Sequence, residues 1–252
     1  MRELILAWRE PEKRQWMPVG KLWMDKKGKY RFGYTKGAEK VFNDGTFFPF
    51  GQMNELNKIY VSDDLFPIFK NRLLQKSRPE YNEYVEWLGF DKTKNITVFD
   101  ELSRTNGIRA TDSLQLFEVP KEVDGKYSVY FFSHGISHLP LNYIDRVNTL
   151  KGGEQLSIMK DIQNIADPYA LVLRTKDPIE IVGYCPSFYV KDYNKLIELN
   201  GSRNFKVSVE KVNLSSPLQL RLLCKVETVW PKDFKSFEHN EFKMIVDQST
   251  KQ

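Results

Sequence analysis

The sequence predicts an α+β protein in two parts, an N-terminal β-meander with helices followed by a small β-barrel. Three observations predict it: apolar alternation through the first 34 residues, helical spacing of apolar residues between 62 and 104, and a set of short β-branched and aromatic runs between 127 and 226 interrupted by helices. At 252 residues the chain lies near the length at which single cores divide, so two modest domains are expected. Their extents are read as 1–120 and 121–230, with 231–252 as a tail. An apolar share of 41% beside 28% charged residues supplies a buried core and excludes a disordered chain.

In the first part, Leu4, Leu6 and Trp8 alternate as a strand over 3–9. After the charged insert at Pro11 and Glu12, Met17, Val19, Leu22 and Trp23 mark a second strand over 17–24, and the turn Lys26-Lys27-Gly28 leads to a third over 29–34. The segment after Gly37 has no clear period. Phe47-Phe48-Pro49-Phe50-Gly51 reads as irregular because of its proline and glycine, with the rings plugging a core. Ser62, Asp63 or Asp64 caps a helix carrying Leu65, Ile68, Phe69 and Leu73. Pro79 opens a second helix, with Tyr81, Tyr84, Val85 and Leu88 on one face and Gly89 as its stop. A third runs from Thr97 to Arg104 and ends at Asn106-Gly107, before a strand over 113–119.

The polar stretch from Pro120 to Lys126 is the expected domain boundary. Strands follow over 127–132, 154–159, 171–173, 179–185, 205–212 and 218–226, with helices over 141–150 and 190–199, a set that predicts a small barrel. From Pro231 the chain is mostly polar, a loose tail or one pinned by Phe234, Phe237 and Phe242.

The N-terminal residues are too few and too charged for a signal or membrane segment, which predicts a cytoplasmic protein with no membrane partner. Cys185 and Cys224 lie in apolar, strand-like surroundings and read as small buried hydrophobes. A net charge of +5 is compatible with a polyanion, and no Lys or Arg run exceeds a pair, so the fold must assemble any positive surface from scattered positions.

Four features of the second half occur in order. They are a strand running into His134-Gly135-Ile136-Ser137-His138; Gly153-Glu154 opening a strand; Lys160-Asp161-Ile162-Gln163-Asn164-Ile165-Ala166-Asp167-Pro168-Tyr169-Ala170; and Gly183-Tyr184-Cys185-Pro186. From about residue 126 to 228 the chain thereby resembles the HIRAN domain, the OB-like module of helicase-like DNA-repair translocases and of stand-alone bacterial proteins. The resemblance implies a pocket for a 3′ single-stranded DNA end, where rings stack on bases and an aspartate accepts the terminal hydroxyl. Carried over by position, the aspartate is Asp167 and the aromatic of the fourth feature is Tyr184. The family's arginine and two tyrosines fall on Ser137, His138 and Leu139, its asparagine on Tyr169 and its first tyrosine on Ala166, so this chain departs from the pattern where DNA is held. The first half, about 1 to 118, resembles the N-terminal subdomain of HipA-type kinases in Val19-Gly20-Lys21-Leu22, in the run from Leu65 to Leu74 and in Gly107. That likeness implies a docking unit for a protein partner; the kinase body is absent.

The chemistry stays open at single residues. Asp167 precedes Pro168, so it reads either as a turn-capping carboxylate or as the hydroxyl acceptor. Tyr184 and Tyr169 read as core rings or as stacking platforms. Ser137 and His138 are loop residues that take the place of family contacts. Lys160 and Arg174, with Arg203, Lys206 and Arg221, are candidates to line a phosphate groove. His134 and His138 are four apart, but Gly135 argues against the helix that would join them on a metal. No Gly-rich phosphate loop, nucleophile elbow or kinase motif set occurs, so neither catalysis nor a cofactor is expected. The reading is a non-catalytic protein for single-stranded or end-containing DNA. The alternative is a regulatory partner of a HipA-like kinase or toxin system that binds no DNA, and a third is a small metal-dependent nuclease using Asp161, Asp167 and Glu180.

Overall fold

A computed structural model describes residues 3–246 except 92, 94 and 166. The chain is α+β and forms two compact units, one of Met1–Leu74, Thr97–Val119 and Phe237–Gln252, the other of Gln75–Ile96 and Pro120–Ser236. Residues 75–96 therefore cluster with the second unit and the C-terminal arm with the first.

The first unit begins with the strands β1 (Glu3–Arg9), β2 (Trp16–Met24) and β3 (Tyr30–Tyr34), followed by α1 (Lys36–Asn43), β4 (Tyr60–Ser62) and the single turn α2 (Pro67–Lys70). The helix α3 (Tyr81–Trp87) belongs to the second unit, and α4 (Val98–Thr105) and β5 (Leu114–Glu118) complete the first. Its sheet is antiparallel in the order β4-β3-β2-β1-β5, so the first three strands are the expected meander. One face of this sheet carries Leu4, Leu6, Val19, Leu22, Phe32, Tyr34 and Leu116, which pack with Ala38, Val41, Phe69, Phe99 and Leu102 from the helices. Gly20 is required there, because a Cβ would stand 2.5 Å from the Phe32 ring. Thr97 and Asp100 form a reciprocal capping box at the start of α4, and Asn106 ends it in the left-handed region.

Three local expectations need correction. The segment after Thr35 is the helix α1. The helix expected after Ser62 shrinks to α2, with Phe66 in the N-cap position, because the Ser62 hydroxyl accepts from the Asp64 N–H in a local turn instead. Of the three phenylalanines over 47–50, Phe47 is buried, but Phe48 is 71% exposed and plugs nothing.

The second unit contains β6 (Lys126–Phe132), α5 (Leu141–Thr149), β7 (Gln155–Lys160), β8 (Leu171–Arg174), β9 (Ile181–Tyr184), α6 (Val190–Asn200), β10 (Lys206–Val212) and β11 (Leu222–Val229). They form one antiparallel sheet in the order β6-β11-β10-β7-β8-β9. The sheet curls into a half-barrel, and a bridge between His134, just beyond β6, and Tyr184 of β9 joins its two edges. Inside lie Val129, Phe131, Val207, Val209, Cys224 and Val226, and α6 sets Tyr193 against Tyr127, Phe131 and Phe205. On the other face Phe132 and Leu223 receive Leu88, which follows α3, so the stripe on that helix is core. Both cysteines are free and buried, and burial raises their thiol pKa values. Phe234 packs against Tyr127 and Trp230, and Phe237 stacks on Phe242 within the C-terminal segment. No helix among the described residues is long and apolar enough to cross a membrane.

Candidate nucleic-acid interface

Strand registers bring most of the candidate residues to one end of the half-barrel. There β7 ends at Lys160, opposite Leu171 at the start of β8, and β9 ends at Tyr184, opposite Val172. The His134 N–H donates to the Tyr184 carbonyl, and the Tyr184 N–H to the His134 carbonyl, each at 2.9 Å. This crossing needs a glycine at 183: its φ is +123°, and a Cβ would fall 2.7 Å from the His134 oxygen and collide with Ser133, whose hydroxyl donates to the Val182 carbonyl. The chain then turns at Gly135 (φ +76°) into a single 3-10 turn, Ile136–His138, that buries Ile136 and leaves Ser137 and His138 exposed.

Between β7 and β8 the chain forms a loop whose polar groups hold one another. Its base is closed by the Asp161 N–H donating to the Ala170 carbonyl at 3.0 Å. The Asp167 N–H donates to Asn164 Oδ1 at 3.0 Å, and Asp167 Oδ1 accepts from the Tyr169 N–H at 2.9 Å. Asp167 thus caps the turn begun by Pro168. It is half-buried, and a carboxylate with two oxygens and about four lone-pair sites keeps acceptor capacity after one such bond. Ala166, where the family pattern has an aromatic, lies outside the described residues.

The two tyrosines have different surroundings. Tyr184 is half-buried, its ring lies beside Gly135, and its hydroxyl donates to Asp161 Oδ2 at 3.1 Å. Burial, and then the Asp161 carboxylate, raise its pKa, so it is a neutral donor fixing the loop against β9. Tyr169 is 48% exposed, and the Lys191 ammonium lies 5.6 Å from its ring centroid, within cation–π range. Asn194 Nδ2 donates to the Val190 carbonyl at 2.7 Å and to the Tyr169 carbonyl at 3.3 Å, tying the ring's backbone to α6.

Lys160 is exposed at this end. Arg174 is not gathered with it: three residues separate it from Leu171, about 10 Å along an extended strand, and its Nη1 donates to the Thr175 carbonyl at 3.3 Å. Arg221 is also committed elsewhere, with Nη1 donating to Asn148 at 2.6 Å and Nη2 to the Ser216 carbonyl at 2.8 Å. Of the cations expected to line a groove, Lys160 thus lies at this end without Arg174 and Arg221, and Lys191 joins it. His134 is half-buried, and burial pushes its pKa down to about 4, so the imidazole is neutral near pH 7. Among the described residues no cluster of His, Cys, Asp and Glu is placed to hold a metal ion.

Lys191 and Asn194 are the site residues that sequence reasoning missed, and Asp161, read there only as a nuclease carboxylate, instead accepts from the Tyr184 hydroxyl. Helical spacing does put Lys191 and Asn194 on one face of α6, but nothing local says that this face meets Tyr169.

Residues 126–230 match the family model of the HIRAN domain, which covers the whole half-barrel. No curated protein matches the chain. Among solved structures, a crystal structure of a protein from Lactobacillus plantarum is similar, with 14% identity, coverage of 41% of this chain and 99% of that one, and a TM-score of 0.30.

Proposed function

We propose that the protein is a non-catalytic DNA-binding protein that holds single-stranded DNA, with its 3′ end, on the Tyr169 end of the half-barrel. The observation that carries the reading is an exposed aromatic ring with a lysine beside it, within a stretch that matches a DNA-binding module. A base stacked on such a ring gains about 1 to 3 kcal/mol whatever its identity. Lys160 and Lys191 supply positive charge for the flanking phosphates. Asp167 accepts a hydrogen bond from a free 3′ hydroxyl through its remaining capacity and repels a phosphate in the same place. Ser137 and His138, exposed on the neighbouring turn, add hydrogen bonds where the family pattern has an arginine and tyrosines. Tyr184 acts indirectly, by fixing Asp161 and hence the loop.

The test is a fluorescence anisotropy titration of labelled single-stranded DNA at several salt concentrations. Tyr169→Ala is expected to weaken binding by about fivefold or more, consistent with one lost stack. Lys191→Gln is expected to lessen the slope of log affinity against log salt by about 0.7, the value for one phosphate on a single strand. Unchanged affinity and slope in both variants would remove the DNA site from this end of the barrel.

A second reading, an interaction protein without DNA binding, is favoured by the serine, histidine and leucine at 137–139 and by the use of Asp167 in its own turn. It predicts no salt-sensitive DNA binding by the intact chain.

A further inference from the structure

The edge of β3 in the first unit is shared by two segments. β4 pairs only with Tyr30, Arg31 and Phe32, leaving the edge open from Tyr34 onward. The C-terminal arm fills that opening. The Lys36 N–H donates to the Lys243 carbonyl at 2.8 Å, the Ile245 N–H donates to the Tyr34 carbonyl at 3.0 Å, and Thr35 and Met244 face each other as an antiparallel bridge. Gly33 forms the seat of the Met244 side chain, since a Cβ there would stand 2.5 Å from its terminal methyl carbon. Ile245 packs on the sheet core. Upstream, the Glu241 carbonyl packs closely on Gly37 at the start of α1, beside an open polar cleft of about 430 Å³ lined by Lys36, Glu39, Lys40 and Asn43 of α1 and by Asn240 and Glu241 of the arm.

We propose that this open end of β3 is a strand-addition site for an extended protein segment bearing a Met-Ile pair, and that residues 243–245 occupy it in cis. Main-chain bonds at Tyr34 and Lys36 give such a site affinity independent of sequence, and the glycine seat selects a long, unbranched side chain. A segment presented in trans that makes the same main-chain bonds and fills the same seat competes with the arm. This goes beyond the DNA-binding reading and does not rest on it.

The experiment uses a labelled synthetic peptide spanning residues 237–252, titrated into the full chain and into the full chain carrying Met244→Asp, which unseats the arm and leaves the groove intact. The Met244→Asp chain is expected to bind the peptide at least tenfold more tightly than the unaltered chain, and Gly33→Ala added to it is expected to weaken that binding tenfold. If Met244→Asp lowers the melting temperature, excess peptide should restore it, as any ligand specific for the folded state does. Equal affinity in both chains, no binding by either, or a lost fold that the peptide fails to rescue would overturn the proposal.

Discussion

At the scale of single residues, polar groups decide both stability and the shape of the site. Arg72 is the clearest case in the first unit. Its guanidinium is buried, pairs with Asp112 at 2.6 Å, and donates to the carbonyls of Gly107 at 2.7 Å and Ile68 at 3.1 Å. Removing one partner of such a pair leaves the others unsatisfied, so Arg72→Met is expected to cost about 3 kcal/mol, read from the midpoint of urea unfolding. His134 gives a pH dependence with a definite sign. The unfolded chain takes up a proton near 6.5 and the folded chain only near 4, so protonation in that window favours unfolding. The His134 contribution is complete above about 6.5 and declines as pH falls towards 4; His134→Gln should flatten this part of a stability profile measured by thermal melts. Asp167 was legible as a turn residue because Asp-Pro encodes its own hydrogen bonding. Asp161 was not, because its partner Tyr184 lies 23 residues away and only the sheet register brings the two together.

At the scale of elements, local signals succeeded where a residue's own backbone chemistry sets the boundary. Thr97 and Asn106 delimit α4 as expected, and Thr97→Ala should cost about 1 kcal/mol by removing the cap, measured by chemical denaturation. Alternation likewise marked β1, β2 and β3, because one face of that sheet is buried. Local reading failed where a distant packing demand overrode propensity. The helix α1 begins beside Gly37, where the sequence showed no clear period, and a glycine is needed there so that the carbonyls of Pro18 and Glu241 can approach. Gly183 shows the same logic in the second unit. Gly183→Ala meets both a forbidden φ and a collision with Ser133, and about 3 kcal/mol or more should be lost. Because this residue joins the edges of the half-barrel, hydrogen exchange should rise first at the amides of His134 and Tyr184.

At the scale of the whole molecule, the chain forms two units and neither is a single stretch of sequence. Residues 75–96 join the second unit because Leu88 finds its apolar partners on Phe132 and Leu223. The arm rejoins the first because β3 has an unfilled edge. Periodicity cannot reveal such returns, which is why the tail was readable only as loose or ring-pinned. The order of the four motifs in the second half did encode the half-barrel, whereas the strand registers decide that Lys160 and Tyr184 lie at one end of it and Arg174 further along its strand. The most direct test of the account compares the affinity of the intact chain for one single-stranded oligonucleotide ending in a 3′ hydroxyl or in a 3′ phosphate. A preference of at least tenfold for the hydroxyl, abolished by Asp167→Asn, is predicted. Equal binding of the two ends, or no binding of either, would contradict it.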